Sequence, residues 1–175
     1  AYNAAMKNME GGNYEKALEL FKKAEDHKDA KTQATFCQNK LDLKQADTLM
    51  GEGKYEEAKK LLTKLEKFED APEKLVDCTN ALNYQTGKEL MDNKEYSSAY
   101  DVFEKLGDYK DSKTLSGECY NYKHYNLGLE AFDDGLNYTA WTHFHECDDE
   151  FLDVKDLRLN CHVLTPSTKL IYLNE

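Results

Sequence analysis

Arginine is almost absent from this sequence, and proline is scarce. Arg158 is the only arginine among 175 residues, and there are two prolines. Arginine is the preferred side chain for holding a phosphate or carboxylate with two hydrogen bonds. Binding of that kind is therefore not expected to be central to this protein.

Positive charge is the second shortage. The formal net charge is −11, whereas nucleic-acid binding needs a basic surface and anionic membranes attract basic segments. No apolar run approaches the roughly 18 residues of a membrane helix, and no secretory signal opens the chain. We predict an acidic protein with no nucleic-acid partner and no direct membrane insertion in this segment.

Motifs of catalysis and metal binding are missing as well. The sequence contains no Gly-x-Ser-x-Gly, no P-loop, no His-Glu-x-x-His and no calcium-binding Asp-x-Asp-x-Asp-Gly loop. We therefore predict that the chain is not an enzyme and carries no cofactor. His143 and Cys147, four residues apart, could offer two metal ligands on one helix face. However, Cys147 falls in an apolar column and His145 points elsewhere, so no metal site is predicted. A metal protein or an enzyme built on the fourth repeat remains an open alternative.

What the sequence does contain is an internal repeat. The segment 95–119, EYSSAYDVFEKLGDYKDSKTLSGEC, has two earlier counterparts at a spacing of 41 residues, and a fourth, less regular copy follows it. The repeated columns are a tyrosine (Tyr14, Tyr55, Tyr96), an alanine (Ala17, Ala58, Ala99, Ala140), a large apolar residue (Phe21, Leu62, Phe103, Phe144), an aspartate (Asp29, Asp70, Asp111, Asp153) and a cysteine (Cys37, Cys78, Cys119, Cys161). A period of this length is typical of an array of repeated units, each stacked on its neighbours.

Each unit reads as two helices. Apolar residues that step by three and four predict short second helices near 13–25, 54–67 and 95–107. Each aspartate is expected to cap the next helix by accepting from its first-turn amides, and that helix should run for roughly 22 residues. No strand is predicted before residue 165, the last helix should end at 165–167, and the tail 167–175 is left unassigned. The cysteines are expected to be buried small hydrophobes without disulfides, since equivalent positions of neighbouring repeats lie too far apart.

These columns, with a small residue on each first helix (Ala5, Ala46, Gly87, Gly128), resemble the tetratricopeptide repeat. The usual repeat is about 34 residues and closes with proline, whereas this one is longer and has aspartate there. The sequence LGDYKDS at 106–112 is similar to an extended variant found in proteins of low-GC Gram-positive bacteria. The resemblance implies an all-α, right-handed helical-repeat solenoid with a long first and a short second helix in each repeat. Its four repeats would be 2–42, 43–83, 84–124 and 125–166.

The resemblance also implies a non-catalytic scaffold that binds a protein or peptide in a concave groove lined by the first helices. Two columns would face that groove by position: Tyr2, Leu43, Tyr84 and Tyr125, and Met9, Met50, Met91 and Phe132. Surrounding carboxylates would favour a partner whose basic residues flank an apolar anchor.

Two alternatives remain open from the sequence. Either column could instead be core between helices, and the array could be a spacer or stalk of a larger cell-envelope-associated protein. Since the first helix lacks two turns that its counterparts have, further native sequence is expected before Ala1. The partner, the oligomeric state and the location, bacterial cytoplasm or the outer part of an anchored protein, are not determined.

Overall fold

The computed structural model describes residues 1–24, 27 and 29–163, except the side chains of residues 162 and 163. This part of the chain consists of α-helices joined by short turns and contains no β-strand, which confirms the predicted all-α class. The helices are α1 (Tyr2–Glu10), α2 (Tyr14–Lys22), α3 (Ala30–Gly51), α4 (Tyr55–Leu65), α5 (Ala71–Asp92), α6 (Tyr96–Leu106), α7 (Ser112–Asp133), α8 (Asn137–Glu146) and α9 (Val154–Val163). The predicted helix end at 165–167 and the tail lie outside the described residues.

The alternation of long and short helices agrees with the sequence. Helices α3, α5 and α7 each have 22 residues and begin directly after the aspartate column. Helices α2, α4 and α6 fall inside the three intervals predicted for short helices. None of the helices in the described part is both long and apolar enough to cross a membrane.

The predicted capping chemistry is wrong at the two helix starts where the structure defines it. Asp29 and Asp111 are the N-cap residues of α3 and α7, but neither side chain makes a capping hydrogen bond. An N-cap side chain reaches the first-turn amides from an extended backbone, whereas Asp111 has φ −100° and ψ 18°. Its carboxylate instead accepts a hydrogen bond from Tyr84 Oη at 2.6 Å.

The repeat extends to backbone torsions in the turns. The turn after each of α1, α3, α5 and α7 contains one residue with positive φ: Gly12 (76°), Gly53 (75°), Lys94 (63°) and Gly135 (75°). A second such column precedes α5, α7 and α9: Glu69 (45°), Lys110 (51°) and Leu152 (46°). Residues other than glycine rarely adopt this conformation. Equivalent turns therefore share one backbone conformation although their side chains differ.

The chain divides into two compact units, Ala1–Leu82 and Asn83–Glu175. The division falls within α5, one residue before the predicted boundary between the second and third repeats. In the first unit, one core cluster joins α1, α2 and α3 (Ala5, Ala17, Phe21, Ala30, Cys37). A second joins α3, α4 and the start of α5 (Leu43, Ala46, Leu49, Ala58, Leu62, Leu65, Ala71, Cys78).

The second unit has two core clusters of the same kind. One consists of Ala99, Phe103, Leu115 and Cys119 and is flanked by half-buried residues of α5. The other consists of Ala131, Ala140, Phe144, Cys147, Val154 and Cys161. The five cysteines of the two units are buried free thiols, which agrees with the prediction of small apolar core residues.

The single arginine closes helix α8 at its carboxyl end. Arg158 Nε donates to the backbone oxygen of Phe144 at 2.9 Å, and its Nη2 donates to that of Cys147 at 2.8 Å. The last carbonyls of a helix lack partners within the helix, and a cation there interacts favourably with the helix dipole. Arg158 of α9 therefore has a structural role, because it binds the carboxyl end of α8.

Candidate functional site

The tyrosine column lies between core and solvent. Tyr84 of α5 is half-buried, and its ring makes edge contacts with the buried Phe103 (centroids 6.0 Å apart) and with Tyr109 (6.1 Å). Its hydroxyl donates to Asp111 at the protein surface. Tyr84 therefore contributes its ring to packing and its hydroxyl to a hydrogen bond at the surface.

The same arrangement recurs one repeat later. The ring of Tyr125 on α7 contacts Phe144 at 6.1 Å and Phe151 at 5.9 Å between centroids. Its hydroxyl donates to Asp153 Oδ1 at 2.7 Å, again at the surface. We call Tyr84 with Asp111, and Tyr125 with Asp153, the two Tyr–Asp pairs.

Hydrogen bonding in the Tyr–Asp pairs shifts the pKa values of Tyr84, Tyr125 and Asp111. The bond to Asp153 raises the pKa of Tyr125 to about 12, with burial as the second cause. The bond to Asp111 likewise raises the pKa of Tyr84. The pKa of Asp111 is lowered, chiefly because its carboxylate accepts this bond. At neutral pH both tyrosines are thus protonated donors, and Asp111 is a carboxylate.

A lysine of the chain itself lies on the first pair. Lys110 Nζ is 4.5 Å from the ring centroid of Tyr84 and 5.5 Å from that of Tyr109. The residue at the equivalent position of the second pair is Leu152, which is 59 % exposed. The two pairs therefore differ in whether the chain supplies a cation at that position.

The column differs in the first unit. The Tyr2 ring stacks on His27, with centroids 3.5 Å apart, and makes an edge contact with Phe21 at 5.6 Å. Leu43 is buried in the cluster of α3, α4 and α5. Of the four predicted column residues, Tyr84 and Tyr125 are the ones with a hydroxyl–carboxylate pair on the described surface.

The methionine column packs against the core. Its members are half-buried, and each lies against a different core cluster: Met9, Met50, Met91 and Phe132. This placement favours the interpretation that the column is core between helices. Its predicted part in partner binding remains a prediction.

The histidines of the fourth repeat are arranged differently from the sequence-based pairing of His143 with Cys147. Cys147 Sγ donates to backbone oxygens of Asn121 and His143, and burial raises the pKa of this thiol to about 11. His145 stacks on Trp141 with ring centroids 4.9 Å apart. The side chain of His162 lies outside the described residues.

His143 instead meets a residue that the sequence did not single out. Its Nδ1 atom lies 3.3 Å from Nδ1 of His124 on α7. The pKa of His124 is lowered, mainly by burial and then by the nearby His143 and Lys123, while Glu146 acts in the opposite direction. Among the described residues, no group of three or more His, Cys, Asp or Glu side chains is placed to hold a metal ion.

Two side-chain arrangements of the candidate site were not predicted from the sequence. The Tyr–Asp pairs could have been suspected, because tyrosine and aspartate recur together 27 or 28 residues apart in the third and fourth repeats. His124 gave no such signal, since it has no histidine counterpart one repeat earlier, where Asn83 stands.

Comparisons with protein-family models, with curated proteins and with solved structures find no match to this chain.

Proposed function

We propose that this chain is a non-catalytic protein-binding array of four tetratricopeptide-like repeats, wound as a right-handed solenoid. Support comes from the 41-residue period of the sequence, the three helices of 22 residues and the positive-φ turn residues that recur with them. Arrays of this kind present repeated side chains on a continuous surface, which suits an extended partner.

The observation that carries the binding proposal is the position of Lys110 over the ring of Tyr84. An ammonium group is attracted to the face of an aromatic ring, and the neighbouring Asp111 adds a negative charge beside it. The position of this lysine supports the proposal that a Tyr–Asp pair of this kind attracts a cation.

The second pair presents the same groups with a different neighbour. Tyr125, Phe151 and Asp153 repeat the ring, ring and carboxylate of the first pair, but Leu152 stands where Lys110 would be. We infer that a lysine or arginine of the partner binds at Tyr125 and Asp153, and that an apolar partner residue packs on Leu152. This matches the partner expected from the acidic sequence, with basic residues beside an apolar anchor.

The energy of one such contact is small. An exposed cation–π contact contributes about 0.5–1 kcal/mol, and an exposed ion pair contributes no more than about 1 kcal/mol. Useful affinity therefore requires the apolar anchor and several contacts along the partner. We expect weak, salt-sensitive binding whose association rate falls as ionic strength rises.

Two opposite substitutions test this function with fluorescence anisotropy of labelled synthetic peptides. The probes are a short peptide with lysines flanking a tryptophan and its counterpart with glutamates. Leu152→Lys supplies a competing cation and should weaken binding of the lysine peptide by about tenfold, or 1.4 kcal/mol. Lys110→Leu removes the lysine from the first Tyr–Asp pair and should strengthen binding of the lysine peptide.

Matched variants separate these local effects from net charge. Leu159→Lys adds the same charge at another exposed leucine, 64 % exposed on α9, and Lys105→Leu removes an exposed lysine of α6. Leu159→Lys should change peptide binding much less than Leu152→Lys does, and Lys105→Leu much less than Lys110→Leu does. Equal effects within each matched set, or equal binding of lysine and glutamate peptides, would contradict the proposed site.

A structural spacer is the second candidate, and a specific observation favours it. The hydroxyls of Tyr84 and Tyr125 are already bonded within the chain, and their rings pack on core phenylalanines. Both pairs could therefore serve only to fix turns onto helices. Absence of saturable peptide binding, together with lowered stability of Tyr→Phe variants, would support this function instead.

A further inference from the structure

The contact between His124 and His143 has the dimensions of a metal chelate. The two Nδ1 atoms are 3.3 Å apart, and the ring centroids are 5.4 Å apart with a 45° angle between ring planes. The residues come from α7 and α8, two helices that pack together. Both residues are half-buried.

Metal geometry gives a specific reference for this distance. Imidazole nitrogens bind zinc at about 2.0–2.1 Å, and two such ligands at a tetrahedral angle are about 3.3 Å apart. The observed 3.3 Å between the two Nδ1 atoms therefore matches the spacing of two ligands on one ion. We propose that His124 and His143 bind one divalent late-transition-metal ion through both Nδ1 atoms, with water completing the coordination.

Neighbouring groups affect this position in opposite ways. Glu146 lies three residues after His143 on α8, and its carboxylate accepts a hydrogen bond from Tyr120 Oη at 2.6 Å. The Tyr120 ring is 4.4 Å from that of His124, so a negative charge stands beside the histidine pair. Lys123 opposes a cation there, and its ammonium group is directed over the ring of Tyr100.

Without an ion, the two rings can share a single N–H···N hydrogen bond, in which one Nδ1 carries the proton. Metal binding needs both Nδ1 atoms unprotonated, with the proton of each neutral ring on Nε2. The two states therefore differ in the tautomer of one ring, with no change in the number of bound protons. In acid, protons compete with the metal for the nitrogen lone pairs, so affinity for the metal should fall. Copper should bind more tightly than zinc, as it does in most nitrogen sites.

Titration calorimetry of the whole chain with zinc or copper chloride at neutral pH tests this site. We expect one ion per chain, and at least a tenfold loss of affinity in each of His124→Gln and His143→Gln. His145→Gln is the matched control, because it removes another α8 histidine, one that stacks on Trp141. Its affinity should equal that of the unsubstituted chain.

Electron paramagnetic resonance of the copper-loaded, unsubstituted chain gives a readout that does not depend on folding of the variants. Two equatorial nitrogen ligands are expected. Fewer than two nitrogens, no binding in calorimetry, unchanged affinity in His124→Gln and His143→Gln, or equal loss in His145→Gln would each overturn the proposal. Circular dichroism of the metal-free variants identifies any that fail to fold. In that case the number of nitrogen ligands in the resonance spectrum of the unsubstituted chain decides whether the site exists.

Discussion

The ring of Phe103 occupies the space that a side chain at Gly87 would need. A Cβ atom added to Gly87 would lie 2.7 Å from two atoms of that ring, closer than packed carbons approach. Helix α5 can therefore contact α6 closely only because position 87 has no side chain. The same relationship holds between Gly128 and Phe144.

Gly87→Ala should therefore overpack the contact between α5 and α6. We expect the free energy of unfolding to fall by about 1–3 kcal/mol, measured by urea denaturation. The matched control is Gly117→Ala on α7, where nothing lies within 4 Å, and it should stabilise by about 0.5–1 kcal/mol.

The repeat itself suggests a rescue for this variant. The second repeat combines Ala46 with Leu62, and both are fully buried. Adding Phe103→Leu to Gly87→Ala should cost less than the sum of the two single changes, because the ring no longer meets the new methyl group. Strict additivity would show that the two residues do not share this space.

Lys94 adopts a turn conformation that glycine adopts in the other three repeats. Its φ is 63°, close to the 75° of Gly53. Lys94→Gly should raise the free energy of unfolding by about 0.5–1 kcal/mol, since relief of left-handed strain exceeds the added freedom of the unfolded chain. Gly53→Ala, the reverse change, should lower it. Destabilisation by Lys94→Gly would mean that contacts of the lysine side chain contribute more free energy than relief of its backbone strain.

The bond between Tyr84 and Asp111 should be visible in the acid titration of that aspartate. Tyr84→Phe removes the donor that lowers the pKa of Asp111, so the pKa should rise toward its ordinary value of about 3.9. Carbon-detected NMR of the carboxyl group measures this directly. Tyr138→Phe, at an exposed ring of α8, should leave it unchanged.

The same bond gives a signed pH dependence of stability. Because the pKa of Asp111 is lower in the folded state, its contribution is present above the unfolded value of about 3.9 and is lost as the pH falls through the folded value. The stability difference between Tyr84→Phe and the unsubstituted chain should thus shrink in acid. Identical Asp111 titrations in both proteins would rule out the bond.

Features that recur at each step of the period could be predicted from the sequence. Alanines 17, 58, 99 and 140 are fully buried, and their position follows from helical spacing and the 41-residue period alone. The long helices could be predicted because nothing between Asp111 and Asp133 breaks a helix. These features depend on local sequence and on contacts that every repeat shares.

Other features depend on three-dimensional detail that a period does not contain. The direction of the Asp111 side chain depends on its backbone torsions and on a tyrosine 27 residues away. The pairing of His124 with His143 joins the third repeat to the fourth, and the equivalent positions one repeat earlier, Asn83 and Val102, are not histidines. Side chains that act once, or whose direction depends on a turn, could not be placed from the pattern.

Binding of a basic partner at Tyr125 and Asp153 is the central functional claim, and NMR tests its location most directly. Isotope-labelled protein would be titrated with the peptide in which lysines flank a tryptophan. We expect saturable shifts of the Tyr125 and Phe151 rings and of the Asp153 carboxyl group, all reduced in Leu152→Lys. Shifts confined to other residues, or none at all, would contradict it.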